Sequence, residues 1–356
     1  MWPFRKPGTC RDLDRRLARY VAEELPRRLG VSPEAVAGAE LGTFADGKVG
    51  TTRHLAVEGV GTVVLRVFYR SAHRRRPRAL AALAELLAGQ GIRVPRVLFA
   101  DQSRATRRAY GFAVLCEERL EGPLVASLPL AQRGEVMDAV AELLARLHGV
   151  RSPVAGRPWQ GERWRPGRHV SALAAEWLER AGQVEGIELA RGQARALRRW
   201  LTGQFEALDR REFPLVHGDF HGKNLVLGAG GELGLLDLPT AAYWFPQADL
   251  FLAELGLCGD EPALVARLRE RYFEAPGAAL SSRRYAATRA LFAAWRHLAR
   301  TASRSRRAGK RRAAGRPWEA ARDEALAFWA LAREALRQAG APEALVPPPT
   351  GPANTS

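Results

Sequence analysis

Cysteine is scarce in this chain. There are three in 356 residues (Cys10, Cys116 and Cys258), widely spaced and odd in number. That pattern excludes a disulfide framework and a cysteine-built metal cage, and it fits a reduced cytosolic compartment. No run of about 18 apolar residues occurs, which excludes an ordinary membrane-spanning helix. The opening Met-Trp-Pro-Phe-Arg-Lys-Pro is basic but has no apolar stretch behind it, so it does not read as a signal peptide. No internal repeat is visible. Acidic residues are outnumbered: 38 Asp and Glu face 55 Lys and Arg, a formal charge of +17 carried almost wholly by arginine. A field of that sign favours anionic partners and disfavours polycations. Nucleic acid finds no further support, since no helix-turn-helix, zinc finger or aromatic-basic strand is present.

The length allows two lobes, and 47% apolar residues allow a large core. The chemistry concentrates in Val216-His217-Gly218-Asp219-Phe220-His221-Gly222-Lys223-Asn224, followed by Leu235-Leu236-Asp237-Leu238 and Ala248-Asp249-Leu250. Phe213 to His217 reads as a short apolar strand. Asn224-Leu-Val-Leu, the turn Gly228-Ala-Gly-Gly231 and Glu232 to Asp237 read as a hairpin, with Asn224 and Asp237 at its two outer ends. Both side chains then reach one metal. Asp219 suits taking a proton from an attacking hydroxyl, and Asn224 and Asp237 offer hard oxygen ligands to Mg²⁺. The plainer reading is a polar turn before a hairpin, with Asp237 as a strand-end residue.

These residues resemble the catalytic core of the aminoglycoside phosphotransferase and choline kinase superfamily, with a weaker resemblance to lipopolysaccharide core-sugar kinases. The family pattern is His-Gly-Asp-x-x-x-x-Asn, an apolar-Asp strand, then Asp-Leu on the next helix, and all three are here. The resemblance implies an α+β, protein-kinase-like bilobal fold, with a small β-rich N-lobe and a larger, mostly helical C-lobe carrying a helical insert. It implies Asp219 as catalytic base, His217 as the residue orienting its loop, Asn224 and Asp237 as Mg²⁺ ligands, and Asp249 as a support of the loop backbone. The cofactors implied are ATP and Mg²⁺. The role of His221 stays open.

The expected organisation is an amphipathic helical extension (1–35), an N-lobe (36–117), a C-lobe (118–340) and a disordered tail (341–356). Leu13, Leu17, Val21 and Leu25 place a helix over 10–29, its basic face solvated or lying on a membrane. Strands are expected at 51–57, 61–68, 92–99 and 110–116, and a helix at 77–89. Gly42, Gly47 and Gly50 precede the first hairpin, where backbone amides could approach phosphates; a plain hairpin loop would look the same. Arg66 stands where the resemblance implies a phosphate-pairing Lys. The helix at 77–89, read with Leu83, Leu86 and Leu87 inward, puts Ala79 where a Glu partner belongs, and leaves Glu85 as its only acid. Leu115 to Gly122 resembles the lobe linker, with Glu118 at its acidic position and the backbone binding the adenine edge.

The stretch between His148 and His217 is long. It carries Trp159, Trp164, Trp177 and Trp200 and two helical patterns near 170–182 and 190–209. By resemblance it shapes an acceptor site; the tryptophans stack on a sugar or fill a core. His148 reads as a packed helix-end residue. Helices are expected at 247–257, 262–273 and 285–299. The arginine run 300–316 and the cluster 73–78 read as solvated loops or as contacts to an anionic membrane or glycolipid phosphate. The leading function is an ATP-dependent phosphotransferase acting on a hydroxyl of a small molecule or sugar. The alternatives are an envelope-sugar kinase at the inner membrane face and a non-catalytic nucleotide-binding scaffold, the latter motivated by Arg66 and Ala79.

Overall fold

A computed structural model describes residues 9–46, 50–70, 76–208, 211–259 and 261–347. The chain forms two compact units. One comprises Met1–Gln132, Trp159–Gly161 and Gly222–Thr240; the other comprises Arg133–Pro158, Glu162–His221 and Ala241–Ser356. No helix among the described residues is long and apolar enough to cross a membrane.

The first unit opens with α1 (Thr9–Glu23) and α2 (Leu25–Leu29). The single helix expected over 10–29 is interrupted at Glu24, because Pro26 lacks an N–H and its ring crowds the preceding turn. Five strands follow: β1 (Gly42–Asp46), β2 (Thr51–Val57), β3 (Gly61–Phe68), β4 (Val97–Asp101) and β5 (Ala113–Glu118), in the antiparallel order β1-β2-β3-β5-β4. Between them lie α3 (Arg76–Gly89) and the short α4 (Arg104–Ala109). The strands expected at 92–99 and 110–116 are shifted forward. Pro95 cannot donate to a ladder, so pairing starts at Val97. Gly111, at φ 81, turns the chain after α4 before β5 begins.

Strand alternation sets what each face does. Val63, Leu65, Val67, Val114 and Cys116 are buried in one cluster with Leu13, Leu17, Tyr20 and Val21 of α1. The opposite face therefore carries Val64, Arg66, Leu115 and Glu117. The α1 arginines are tied in too: Arg16 and Arg19 donate to the carbonyls of Tyr110 and Ala109.

The second unit is mostly helical. Its elements begin with α5 (Leu130–Glu135), which straddles the division, and α6 (Met137–Gly149). Then come β6 (Arg151–Ser152), β7 (Ala155–Arg157), β8 (Glu162–Trp164), α7 (Pro166–Ala181), α8 (Arg191–Glu206) and β9 (Phe213–Val216). The chain then returns to the first unit for a hairpin, β10 (Leu225–Leu227) and β11 (Leu233–Leu235). The second unit resumes with β12 (Ala242–Tyr243), which joins the small sheet β6-β9-β12-β7-β8. It continues with α9 (Gln247–Ala253), a π-helical turn over Glu254–Cys258, α10 (Pro262–Glu274), α11 (Ser282–Ala313) and α12 (Glu319–Gln338).

Sheet-rich first part and helical second part together give the α+β, kinase-like architecture implied by the motif. The arginine run is not a loop up to Ala313. It is the second half of α11, whose apolar positions Leu298, Ala302 and Ala308 stay buried. Residues 73–75 of the first arginine cluster and 348–356 of the expected tail lie outside the described residues; 341–347 are ordered, with a turn at Glu343–Leu345 and Ala341 and Val346 buried.

Candidate active site

In the first unit Arg66 and Glu117 share the face of β3 and β5 that is turned away from α1. Arg66 donates from Nε to Glu117 at 2.7 Å and from Nη1 to Asp237 at 2.8 Å. Burial disfavours the guanidinium's charge, but the Glu117 and Asp237 carboxylates outweigh it and hold its pKa above the ordinary arginine value. Glu117 is the partner that sequence reasoning missed. Ala79 is buried on α3, and Glu85 is exposed there, so that helix brings no carboxylate. The acid comes from the neighbouring strand instead. Val64 pairs with Glu117 and Arg66 with Leu115, so Glu117 and Arg66 are diagonal neighbours on one face. Extending the strand alternation from Val114 through Glu118 would have found it. The register of α3 also differs from expectation: Leu80, Leu83 and Leu87 are inward, and Leu86 is 36% exposed.

The β10–β11 hairpin positions the two candidate metal ligands. Leu225 pairs with Leu235, and the Leu236 N–H donates to the Asn224 carbonyl at 2.8 Å, so Asn224 and Asp237 stand at the same end of the hairpin. Asn224 is 7% exposed. Asp237 is half-exposed and, among the described residues, is the one non-glycine with positive φ, at 60°. Such a conformation costs roughly 1 kcal/mol or more, and Asp tolerates it better than most residues. A carboxylate and an amide oxygen are the hard donors that suit Mg²⁺, an ion that completes its shell with water and phosphate oxygens. The residues present fit that ion.

Gly42 and Gly50 have packing reasons for their identity. A Cβ on Gly42 would strike the His54 ring, and one on Gly50 would lie 2.1 Å from the Val67 carbonyl. Gly47 lies outside the described residues. Glu118 ends β5. Its carboxylate pairs with Arg96, and its N–H donates to the Arg96 carbonyl.

In the second unit the segment after β9 is held by Asp249. This carboxylate, fully buried in the first turn of α9, accepts from the N–H groups of His217 and Gly218, the latter at 2.8 Å. Two donors turned toward one carboxylate force the sharp turn that Gly218, at φ 79, makes. His217 is buried, and its Nδ1 accepts from the Asp219 N–H at 3.3 Å. His148 is likewise buried, 2.7 Å from the Tyr272 hydroxyl and 3.7 Å from Asp249.

Asp219 itself is a third exposed. Its two oxygens meet different partners: His221 Nε2 at 3.3 Å and Arg296 Nη2 at 3.4 Å. Burial raises its pKa, but the His221 hydrogen bond and the nearby Arg296 and His217 outweigh it and hold the carboxyl below its usual range. It is ionised at neutral pH. Arg296, on α11, was not legible as a site residue. It sat in an amphipathic pattern with nothing to mark which helical face meets the loop. The π-turn adds a second hidden contact: a Cβ on Gly256 would lie 2.6 Å from the His221 Cβ. That turn is anchored by buried Glu254, which accepts from Arg269, Tyr285 and Arg289.

The insert's aromatic residues serve partly as packing. Trp164 stacks on His169 with centroids 4.1 Å apart, and Trp244 stands edge-on to both; Trp177 leans on Trp295 at 4.3 Å.

A family model described as the phosphotransferase enzyme family matches residues 40–291. No curated protein matches the chain in sequence. Among solved structures, it is similar to aminoglycoside phosphotransferase APH(4)-Ia, at 16% identity over 87% of this chain and 98% of that one, with a TM-score of 0.60. It is also similar to a choline/ethanolamine kinase family protein from Mesorhizobium loti, at 18% identity over 91% and 98%, with a TM-score of 0.56. A GDP complex of an aminoglycoside 2'-phosphotransferase matches at 16% identity over 84% and 92%, with a TM-score of 0.55.

Proposed function

This chain belongs to the phosphotransferase enzyme family, and on that premise we propose that it moves the γ-phosphate of ATP onto a hydroxyl of a small molecule or sugar. The observation that carries this reading is the Arg66–Asp237 contact at 2.8 Å, which joins a strand cation to a candidate metal ligand 171 positions later. Both would then serve the same phosphates. Similar proteins whose names refer to aminoglycosides and to choline or ethanolamine support a small acceptor, and the GDP complex supports a nucleotide donor.

Each residue has a task. Asp219 accepts the proton of the attacking hydroxyl. The hydroxyl oxygen bonds to the γ-phosphorus, the bond from that phosphorus to the β–γ bridging oxygen breaks, and ADP leaves with that electron pair. Asn224 and Asp237 would hold Mg²⁺, which would offset the negative charge of the phosphates. Arg66 pairs with the phosphates, and Glu117 holds its guanidinium through the Nε bond. Asp249 and His217 fix the backbone that presents Asp219, and so hold the reacting geometry before substrate arrives. Glu117 gives the β3 cation a carboxylate, which answers the part of the scaffold reading that rested on Ala79, though not the part that rested on Arg66 itself.

The test is transfer of labelled γ-phosphate from ATP into a cell extract split into soluble and glycolipid fractions. Label that depends on Asp219, and is lost in Asp219→Ala while Mg-ATP binding is kept, is the expected result. Normal transfer by Asp219→Ala would overturn the mechanism. The glycolipid fraction is included because the +17 charge favours an anionic acceptor, among them an envelope sugar.

A further inference from the structure

We propose that Arg296 and Arg300 form an anion subsite beside Asp219, and that the acceptor carries a phosphate or carboxylate near its reactive hydroxyl. This deepens the phosphotransferase reading and rests on it for the identity of the base.

The argument starts from charge left uncompensated in a half-buried place. Arg296 and Arg300 lie one turn apart on α11, so they share a face of the helix. Arg296 is 24% exposed, and its Nε is buried with no hydrogen-bond partner among the described residues. Its ion-pair partner is Asp219, at a long 3.4 Å, and that carboxylate is shared with His221. Arg300 has no carboxylate partner among the described residues; its guanidinium rests 6.0 Å from the Phe328 ring. The two cations repel each other, and with burial this holds the Arg296 pKa below the ordinary arginine value.

The other charged groups nearby are already committed. Arg289, two helical turns before Arg296, is held by Glu254. Asp249 accepts from the loop backbone. His297 is held down to about 4 by burial and by Arg296, Arg300 and Arg289, so it is neutral at physiological pH. Four arginines (Arg269, Arg289, Arg296 and Arg300) against three carboxylates (Glu254, Asp249 and Asp219) leave one positive charge unbalanced. Burying a cation without a full partner is costly, and an incoming anion relieves that cost. A phosphate presents oxygens that a guanidinium fork can bind in pairs. A cationic acceptor would meet the opposite field.

The experiment titrates inorganic phosphate into the full chain by calorimetry, comparing wild type with Arg296→Gln, Arg296→Lys, Arg300→Gln and Arg66→Gln. Circular dichroism checks that each variant is folded, and Mg-ATP binding is a second check for the three α11 variants. Phosphate binding should survive Arg66→Gln, weaken about tenfold or more in Arg296→Gln, as loss of a charged hydrogen bond does, and be partly kept by Arg296→Lys. Binding that is absent, or indifferent to both α11 arginines, would overturn the subsite.

A second arm offers labelled ATP with paired acceptors: a neutral sugar, its phosphate ester, and a glycolipid bearing the same phosphate. Preference for the phosphate-bearing members supports the proposal, and the better of the two identifies a free or a lipid-linked source. Preference for the neutral sugar overturns the substrate class and leaves phosphotransfer standing. Arg296-dependent phosphate binding with no Asp219-dependent transfer to any acceptor or extract fraction would overturn the phosphotransferase reading instead.

Discussion

Replacing Glu117 by Gln should show that β5 supplies the counter-charge which α3 lacks. Arg66 and Glu117 are 18% and 8% exposed and meet at 2.7 Å, so the pair is shielded from solvent. Removing one member of a buried pair strands the other and costs about 3–5 kcal/mol. Asp237 stays as a second partner for Arg66, but it is half-exposed, and such a pair contributes only about 0–1 kcal/mol. The expected loss for Glu117→Gln is therefore about 3 kcal/mol, measured by urea unfolding. Arg66→Met should cost a similar amount, since it leaves the Glu117 carboxylate unpaired. The double variant Arg66→Met/Glu117→Gln should recover most of one penalty, a coupling of about 2 kcal/mol or more. In transfer assays Glu117→Gln should lower kcat/KM for ATP by roughly 10–100-fold, or about 1.4–2.8 kcal/mol of barrier. Ala79→Glu should not compensate, because that position is 7% exposed and faces the α3 packing. Single-variant costs that simply add, with coupling under about 0.5 kcal/mol, would refute the assignment of Glu117.

Gly256→Ala puts a Cβ 2.6 Å from the His221 Cβ, where about 3.5 Å or more is needed, so His221 must withdraw by roughly 1 Å and its 3.3 Å contact with Asp219 is lost. Turnover should fall about tenfold, as it should in His221→Ala, with Mg-ATP affinity unchanged; equal loss of nucleotide affinity would argue for general misfolding. Asp249→Ala leaves the His217 and Gly218 N–H groups without their acceptor, at roughly 1–3 kcal/mol each, so urea unfolding should show on the order of 3 kcal/mol of destabilisation along with lost activity. Asp219 has a folded pKa below its ordinary value, so it stays ionised and activity is lost only as pH falls through that depressed value; His221→Ala should move the acid limb of kcat/KM upward, and an unmoved limb would assign it to another group. His169 and His297 are each held down to about 4, chiefly by burial, whereas unfolded histidine titrates near 6.5. The unfolded chain thus binds more protons between those values, and stability that is full above about pH 6.5 should fall as pH drops toward 4; urea midpoints that stay flat through this window would contradict the burial of both imidazoles.

The local elements were legible where one physical rule dominated. β2 and β3 run over Thr51–Val57 and Gly61–Phe68, as alternation and the intervening glycine turn require. The hairpin bearing Asn224 and Asp237 was likewise fixed by its glycine-rich turn and flanking apolar residues. Where two rules competed, periodicity misled. Pro95 moved β4 forward, Pro26 interrupted the first helix, and the arginine-rich end of α11 stayed helical because its small apolar residues pack against α12.

The amino-acid order alone determined the family, the α+β class and the candidate residues for phosphoryl chemistry, because those depend on spacing within a short segment. Folding decided which charges stand beside them. Glu117 reaches Arg66 through strand register, Arg296 reaches Asp219 from a helix 77 positions later, and Gly256 sets the place of His221 through a π-turn. None of those contacts is local in the chain. A side chain's partner tens of residues away depends on register and helix rotation, and these are settled by burying the whole apolar surface rather than by the sequence near the partner.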